Sequence, residues 1–295
     1  MTQRAHRVVV MLDDAPRRCP EGRASPGGAF LLRGERERHV TFDRYIGIDY
    51  SGAEAPESRL KGLQVYTASD GEPERVPTPA APEGKHWNWS RREIAEWLIE
   101  QTQSDKRFIA GLDHGFSFPM TYFRRYGLTS WDQFLDDFVR YWPTHEPHTY
   151  VDFIRCDEPP RTGRSNEFRL TERWTSSAKS VLKFDVQGQV AKSTHAGIPW
   201  LRHIRRTVGN LIHFWPFDGW RIPDGKSVIV EVYPSIFRNR YGGQGHTSHE
   251  HDAYCVARWL RETCANGFLW RYADPPLTRC ERAVADLEGW ILGVA

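Results

Sequence analysis

An α/β domain is what this sequence predicts, and three observations predict it. The apolar runs Tyr45 to Asp49, Phe108 to Asp113 and Val228 to Glu231 are continuous rather than alternating. Runs of that kind suit strands covered on both faces, as in the parallel part of a sheet. Each run reaches an acidic residue at or near its C-terminal end, and segments with helical spacing separate and follow them. At 295 residues, 39% hydrophobic and 26% charged, the chain is long enough for a substantial core.

Residues 1 to 43 carry eight Arg against six acids among Pro and Gly, with no sustained apolar period. They are expected to be a disordered leader, because they bury too little to offset the entropy of ordering. A single domain is expected over 44–295, and its basic and acidic residues balance, which argues against a broad surface coating nucleic acid. After the first strand, Leu60 to Thr67 is expected as a strand and Glu72 to Gly84 as a Pro-rich connector. Ser90 and Glu93 then form a capping box for a helix carrying Ile94, Trp97 and Leu98. The stretch from about 119 to 222 is expected to be a large helical insertion. In it Trp131, Phe134, Leu135 and Phe138 repeat at helical spacing, and Gly197-Ile198-Pro199 is expected to end one helix and begin another. A helix over about His249 to Asn266, capped by Thr247 with Glu250, and a terminal amphipathic helix over Thr278 to Leu292 complete the chain. No eighteen apolar residues run together, so neither a membrane span nor a secretory signal is expected, which suggests a cytoplasmic protein. The odd number of cysteines, with no C-x-x-C, suggests free thiols.

In a parallel sheet the loops beyond the C-terminal strand ends form the natural ligand crevice, so Asp49, Asp113 and Glu231 are expected to face one cleft. Asp252, in the first turn of the helix after the third run, is expected to point at the same place. Four converging carboxylates repel each other, and a divalent cation resolves the conflict. Hard oxygen donors without cysteine favour Mg²⁺ or Mn²⁺, and a pair of such ions clamps the attacking and leaving oxygens of a phosphodiester. The chemistry expected is therefore metal-dependent hydrolysis of a nucleic acid, DNA or RNA, with Asp49, Asp113, Glu231 and Asp252 as metal ligands. His249, one helical turn from Asp252, is the candidate for proton transfer. Ser51, Lys179, Lys192 and Arg202 are candidates for contacting substrate.

These acids also have structural readings. Asp49 with Ser51 and Gly52 makes good turn chemistry, and Asp113 can cap the turn before Phe118-Pro119. Glu231 can pair with an Arg such as Arg202 or Arg238, and Asp252 gains from the helix dipole. The aromatic runs Trp87-Asn88-Trp89 and Phe214-Trp215-Pro216-Phe217 can stack on bases or simply pack.

Gly47 to Ala53, Leu112 to Pro119, Gly197 to Leu201, Glu231 to Pro234 and His251 to Ala253 together resemble the family catalogued as domain of unknown function 429. That resemblance runs from about residue 44 to about 270. It implies a ribonuclease H-like mixed sheet flanked by helices, the first three strands antiparallel and the later two parallel to the first. It also implies a nuclease-like activity, with Asp49, Asp113, Glu231 and Asp252 in the positions of that superfamily's acids. Two other functions are open: a non-catalytic interaction module with an acidic cleft, and a nucleotide-binding phosphotransferase that uses the Asp49 to Gly52 turn at a phosphate.

Overall fold

The computed structural model describes residues 41–295 except 86, 157–160, 176, 185–189 and 244. The expected leader thus lies outside the described residues apart from its last three. Those three belong with the fold: Phe42 is buried edge-on against Tyr45, and the Asp43 carboxylate accepts from the Arg107 amide at 2.7 Å.

The protein is α/β, with one mixed six-stranded sheet flanked by helices. In chain order the strands are β1 (Arg44–Asp49), β2 (Gln64–Ala68), β3 (Glu74–Arg75), β4 (Phe108–Leu112), β5 (Ile212–Phe214) and β6 (Ser227–Glu231). Their spatial order is β3-β2-β1-β4-β6-β5. Strands β1, β2 and β3 pair antiparallel, whereas β4, β6 and β5 continue from β1 in parallel. The three apolar runs are therefore adjacent parallel strands. Strand β3 lies inside the segment expected to be only a connector; two residues carry too little pattern to show it.

One face of the sheet, with Ile46, Ile48, Ala110, Leu112 and Ile229, packs on α1 (Arg91–Gln101) and the helices of the insertion. These are α2 (Met120–Tyr126), α3 (Trp131–Tyr141), α4 (Val151–Cys156) and α6 (Val190–Val208), while α5 (Leu170–Trp174) of the same insertion packs Leu170 against the core of the other face. The other face, with Tyr45, Ile109, Val228 and Val230, packs on α7 (Ser248–Ala265), α8 (Leu269–Ala273) and the tail beyond α9 (Arg279–Glu288). The capping boxes expected at Ser90 and Thr247 are both formed.

Helix α6 corrects the expected break at 197–199, for it runs unbroken with Pro199 inside. Proline removes the amide that would bond to the carbonyl four residues earlier. That carbonyl, on His195, instead accepts from the Thr144 hydroxyl at 2.8 Å. The buried face of Ala196, Ile198, Trp200, Leu201 and Ile204 holds the helix together through the defect. The insertion also contains a strand, β5, whose last residue opens the Phe214-Trp215-Pro216-Phe217 run. Those aromatics are core: Phe214 and Trp215 are buried, and Phe217 stacks on Trp131 at 3.9 Å. Trp89 is likewise buried and donates to the Val76 carbonyl, while Trp87 is exposed beneath Arg59. Cys156 and Cys255 are free, Cys264 is buried, and Cys280 is disulfide-bonded, contrary to the expectation of free thiols throughout.

Two close approaches position the strand ends. A Cβ at Gly47 would lie 2.1 Å from the Ala253 carbonyl oxygen and 2.6 Å from the Ala257 nitrogen, so α7 rests directly on β1. On the opposite face the buried Glu288 carboxylate accepts from the first amides of α2 and α5, at Met120 and Leu170, 2.5 Å each. It thereby satisfies donors that helix starts leave unpaired. Gly47→Ala is expected to cost about 2–3 kcal/mol in denaturant unfolding, because the helix backbone must move away from the strand. A loss below about 0.5 kcal/mol, the range of ordinary surface changes, would show that the two elements are not in register as described.

Candidate active site

Register decides which acids can meet. Ile48 pairs with Leu112, and the Asp113 amide donates to the Ile48 carbonyl, so Asp49 and Asp113 end neighbouring strands at nearly the same height. Side chains alternate between faces along a strand. Ile48 and Leu112 belong to the core under the insertion, so Asp49 falls on the α7 face, two residues after Gly47. Glu231 pairs with Leu112 and follows Val230, which packs on the α7 face. The pleat therefore turns Glu231 toward the insertion.

There its carboxylate is taken. Arg169, the residue before α5, donates from Nη1 to Oε2 at 2.7 Å and from Nη2 to Oε1 at 2.5 Å, and the Phe116 amide adds a third bond at 3.0 Å. Arg169 also donates from Nε to Glu172 at 2.8 Å, and all three side chains are buried. Burial alone would disfavour the charged guanidinium, but Glu231 and Glu172 outweigh it and hold the Arg169 pKa above its ordinary value. As placed, Glu231 is an ion-pair partner of Arg169, not of Arg202 or Arg238, and three hydrogen bonds already engage its two oxygens.

On the α7 face the acids are compensated differently. The buried Asp49 carboxylate lies 2.6 Å from His249 Nδ1. Burial raises the Asp49 pKa against the opposing effect of that contact. The hydrogen bond to Asp49 raises the His249 pKa. The His249 side chain remains 54% exposed, so the far side of the ring is open to solvent. Asp252, one turn further along α7, faces Arg238, whose Nη1 lies 2.9 Å from both carboxylate oxygens. Burial nevertheless pushes the Asp252 pKa up to about 6.

Asp113 differs from the other three: among the described residues its carboxylate has neither a hydrogen bond nor an ion pair. Burial raises its pKa well above the ordinary range, and Asp49, Asp252 and Glu231, in that order, add to the rise. It lines a small open cleft together with His114, Arg169, Glu172, Lys179, Glu231 and Tyr233. Asp49, His249 and Asp252 lie outside that cleft, so the four acids form two groups joined at Asp113 rather than one ring. Among the described residues no three His, Cys, Asp or Glu side chains converge on one metal position.

The remaining candidates divide similarly. Lys179 lines the cleft, but Lys192 pairs with Asp152 at 2.6 Å and Arg202 with Asp136 at 2.7 Å. Ser51 lies in the loop after β1, its hydroxyl 3.4 Å from the Ala53 amide. Arg91, a residue the sequence reading passed over, is fully buried and donates to the Ser51, Ala53 and Glu54 carbonyls, fixing that loop beside Asp49. His114 was also overlooked. Its ring is buried between Tyr50 and Phe116, Nδ1 lies 2.9 Å from the Gly115 carbonyl, and burial drives its pKa down to about 4.

Comparison of the chain with protein-family models, with curated proteins and with solved structures finds no match. No helix among the described residues is long and apolar enough to cross a membrane.

The carboxyls impose a pH dependence whose sign follows from linkage. A carboxyl with a raised folded-state pKa binds its proton more tightly in the native state, so its stabilisation is present at low pH and disappears as pH rises through the folded value. For Asp252 the window runs from the ordinary value near 3.8 to about 6. Its contribution should fall by about 2 kcal/mol across that range. Urea unfolding of wild type and Asp252→Asn at pH 4 and pH 7 is expected to show the variant gaining that amount on wild type at the higher pH. A pH-independent difference would mean that Asp252 is solvated like a surface acid.

Proposed function

We propose that the protein hydrolyses phosphodiester bonds, with a nucleic acid as substrate and Mg²⁺ or Mn²⁺ as cofactor. The observation that carries this reading is Asp113: a half-buried carboxylate at the mouth of a cleft, without a partner among the described residues and pressed by three other acids. A divalent cation is the natural relief for such repulsion. The donor set suits a hard cation, and Mg²⁺ is commonly held by only one or two carboxylates, with water and substrate phosphate completing its shell. Asp113 with Asp49 or Asp252 meets that requirement without a third protein ligand. The strand order, antiparallel through β1 and parallel beyond it, supports reading the fold as ribonuclease H-like and agrees with the likeness to the domain of unknown function 429 family. Beyond that reading β5 is an added edge strand.

When bound, the cation would polarise a phosphoryl oxygen and acidify a bound water. The chain's own groups do the rest. Asp113, with Asp49 or Asp252, would hold the cation; Asp49 orients the His249 ring through Nδ1, leaving Nε2 to accept or return a proton at the solvent side. Lys179 at the cleft offers a positive charge to a phosphate, and Arg91 holds the loop bearing Ser51 in place.

A second reading is favoured by the 2.6 Å contact between His249 and Asp49. A half-exposed histidine oriented by an aspartate can serve as a general base, and it would support hydrolysis without a metal.

A panel of single- and double-stranded DNA, RNA and an activated phosphodiester, each with Mg²⁺, Mn²⁺ or EDTA, separates the two. Cleavage is expected with metal and not with EDTA, and Asp49→Asn is expected to lower turnover by at least ~10²-fold, the size of losing one strong transition-state interaction. Activity that persists in EDTA but disappears in His249→Ala would transfer the assignment to the metal-free base. No cleavage of any substrate would leave the interaction module.

A further inference from the structure

We propose that Arg169 stands where a second metal ion would be needed, so that this cleft binds one divalent cation, beside Asp113, and not two. This inference rests on the metal-dependent reading above and specifies its stoichiometry. A two-ion site needs carboxylates shared around two cations about 3.5–4 Å apart. Here the acid that would flank Asp113 on the β6 side is Glu231, and a buried guanidinium already grips both of its oxygens.

The grip is built in. The Arg169 donors go to Glu231 through Nη1 and Nη2, to Glu172 through Nε, and, at 3.4 Å, to the Glu288 carbonyl. The backbone on either side is fixed as well: the Arg169 amide donates to Glu172 and the Leu170 amide to Glu288. Releasing Glu231 to a metal would leave a buried arginine with one carboxylate partner, a strongly unfavourable arrangement. The pleat adds an independent obstacle. Glu231 projects toward the insertion, whereas Asp49 follows Gly47 on the α7 face, so the two carboxylates leave the sheet on opposite sides. A fixed positive charge lining the same cleft as Asp113 is therefore present before any metal binds. A guanidinium supplies charge but no exchangeable water. A single cation would then leave proton transfer to a group of the chain, for which His249, held by Asp49, is placed.

The test is Mn²⁺ binding to the full chain, followed by electron paramagnetic resonance, with and without a phosphorothioate-linked oligonucleotide that resists cleavage. One Mn²⁺ per chain with an uncoupled six-line spectrum is expected in both conditions. The double variant Arg169→Met/Glu231→Met exchanges the ion pair for apolar side chains of similar reach, a replacement that buried pairs often tolerate. It is expected to bind the same single ion within about threefold of the wild-type affinity. Arg169→Gln, which frees Glu231, is expected to take up a second, weaker Mn²⁺. Two ions with a spin-coupled spectrum in wild type would overturn the inference while leaving the metal-dependent reading intact. So would a tenfold loss of affinity in the double variant, which would make Glu231 a ligand. No bound Mn²⁺ in wild type under either condition would instead remove the metal-dependent reading, and this inference with it. If the variants fail to fold, the wild-type spectrum decides alone.

Discussion

The candidate site depends on the direct packing of α7 on β1. At Gly47 the helix backbone occupies the space where any side chain would be, with the Ala253 carbonyl 2.1 Å from the position of a Cβ. This approach lowers the start of α7 onto the end of β1. It sets His249 on Asp49, 200 residues away in sequence, and holds Asp252 one turn above. At Gly111 on β4 the side chains of Val256 and Val232 fill the corresponding space, so the same helix seats a side chain on the neighbouring strand. A glycine in a strand interior gives up packing and chain entropy. Here the gain is a rigid helix–sheet joint, and the acids lie at its open end.

Charge compensation then distinguishes the acids. Burying carboxylates is costly unless each is paired or protonated. Three of them have partners of different kinds: Glu231 has a buried bidentate arginine, Asp252 an arginine from the turn after β6, and Asp49 a half-exposed histidine. These partners differ in how easily they yield. The arginine at Glu231 is enclosed and bonded on several sides, whereas the histidine at Asp49 needs only to rotate into solvent. Asp113, left without a partner among the described residues, is where an added positive charge would gain most.

Much of this was legible in the sequence, and the failures have physical causes. The strands β1, β4 and β6 could be read because buried parallel strands are continuous apolar runs, and the capped helices because Ser90 with Glu93 and Thr247 with Glu250 are local signals. That Asp49 and Asp252 approach one another could be read from helical and strand spacing. The face that Glu231 takes could not, because a one-residue difference in register between β4 and β6 reverses it, and register is set by packing across the sheet. Nothing local marks Arg169 as the partner of a residue 62 positions later. The continuity of α6 through Pro199 escaped notice for the same reason, since its orphaned carbonyl is satisfied by Thr144, far away in the chain. Arg91 and His114 carry no motif. Their importance arises from burial alone, and a sequence states burial only on average.

The central claim is that a divalent cation belongs beside Asp113, at the junction of the two acid groups. Anomalous diffraction from crystals grown with Mn²⁺ tests it most directly. One anomalous peak within coordination distance of an Asp113 oxygen, with Asp49 or Asp252 as a second ligand and Arg169 still on Glu231, is the expected result. A peak elsewhere, or none at saturating Mn²⁺ with Asp113 unchanged, would contradict the claim and leave the Asp49 and His249 pair as the chemistry of this protein.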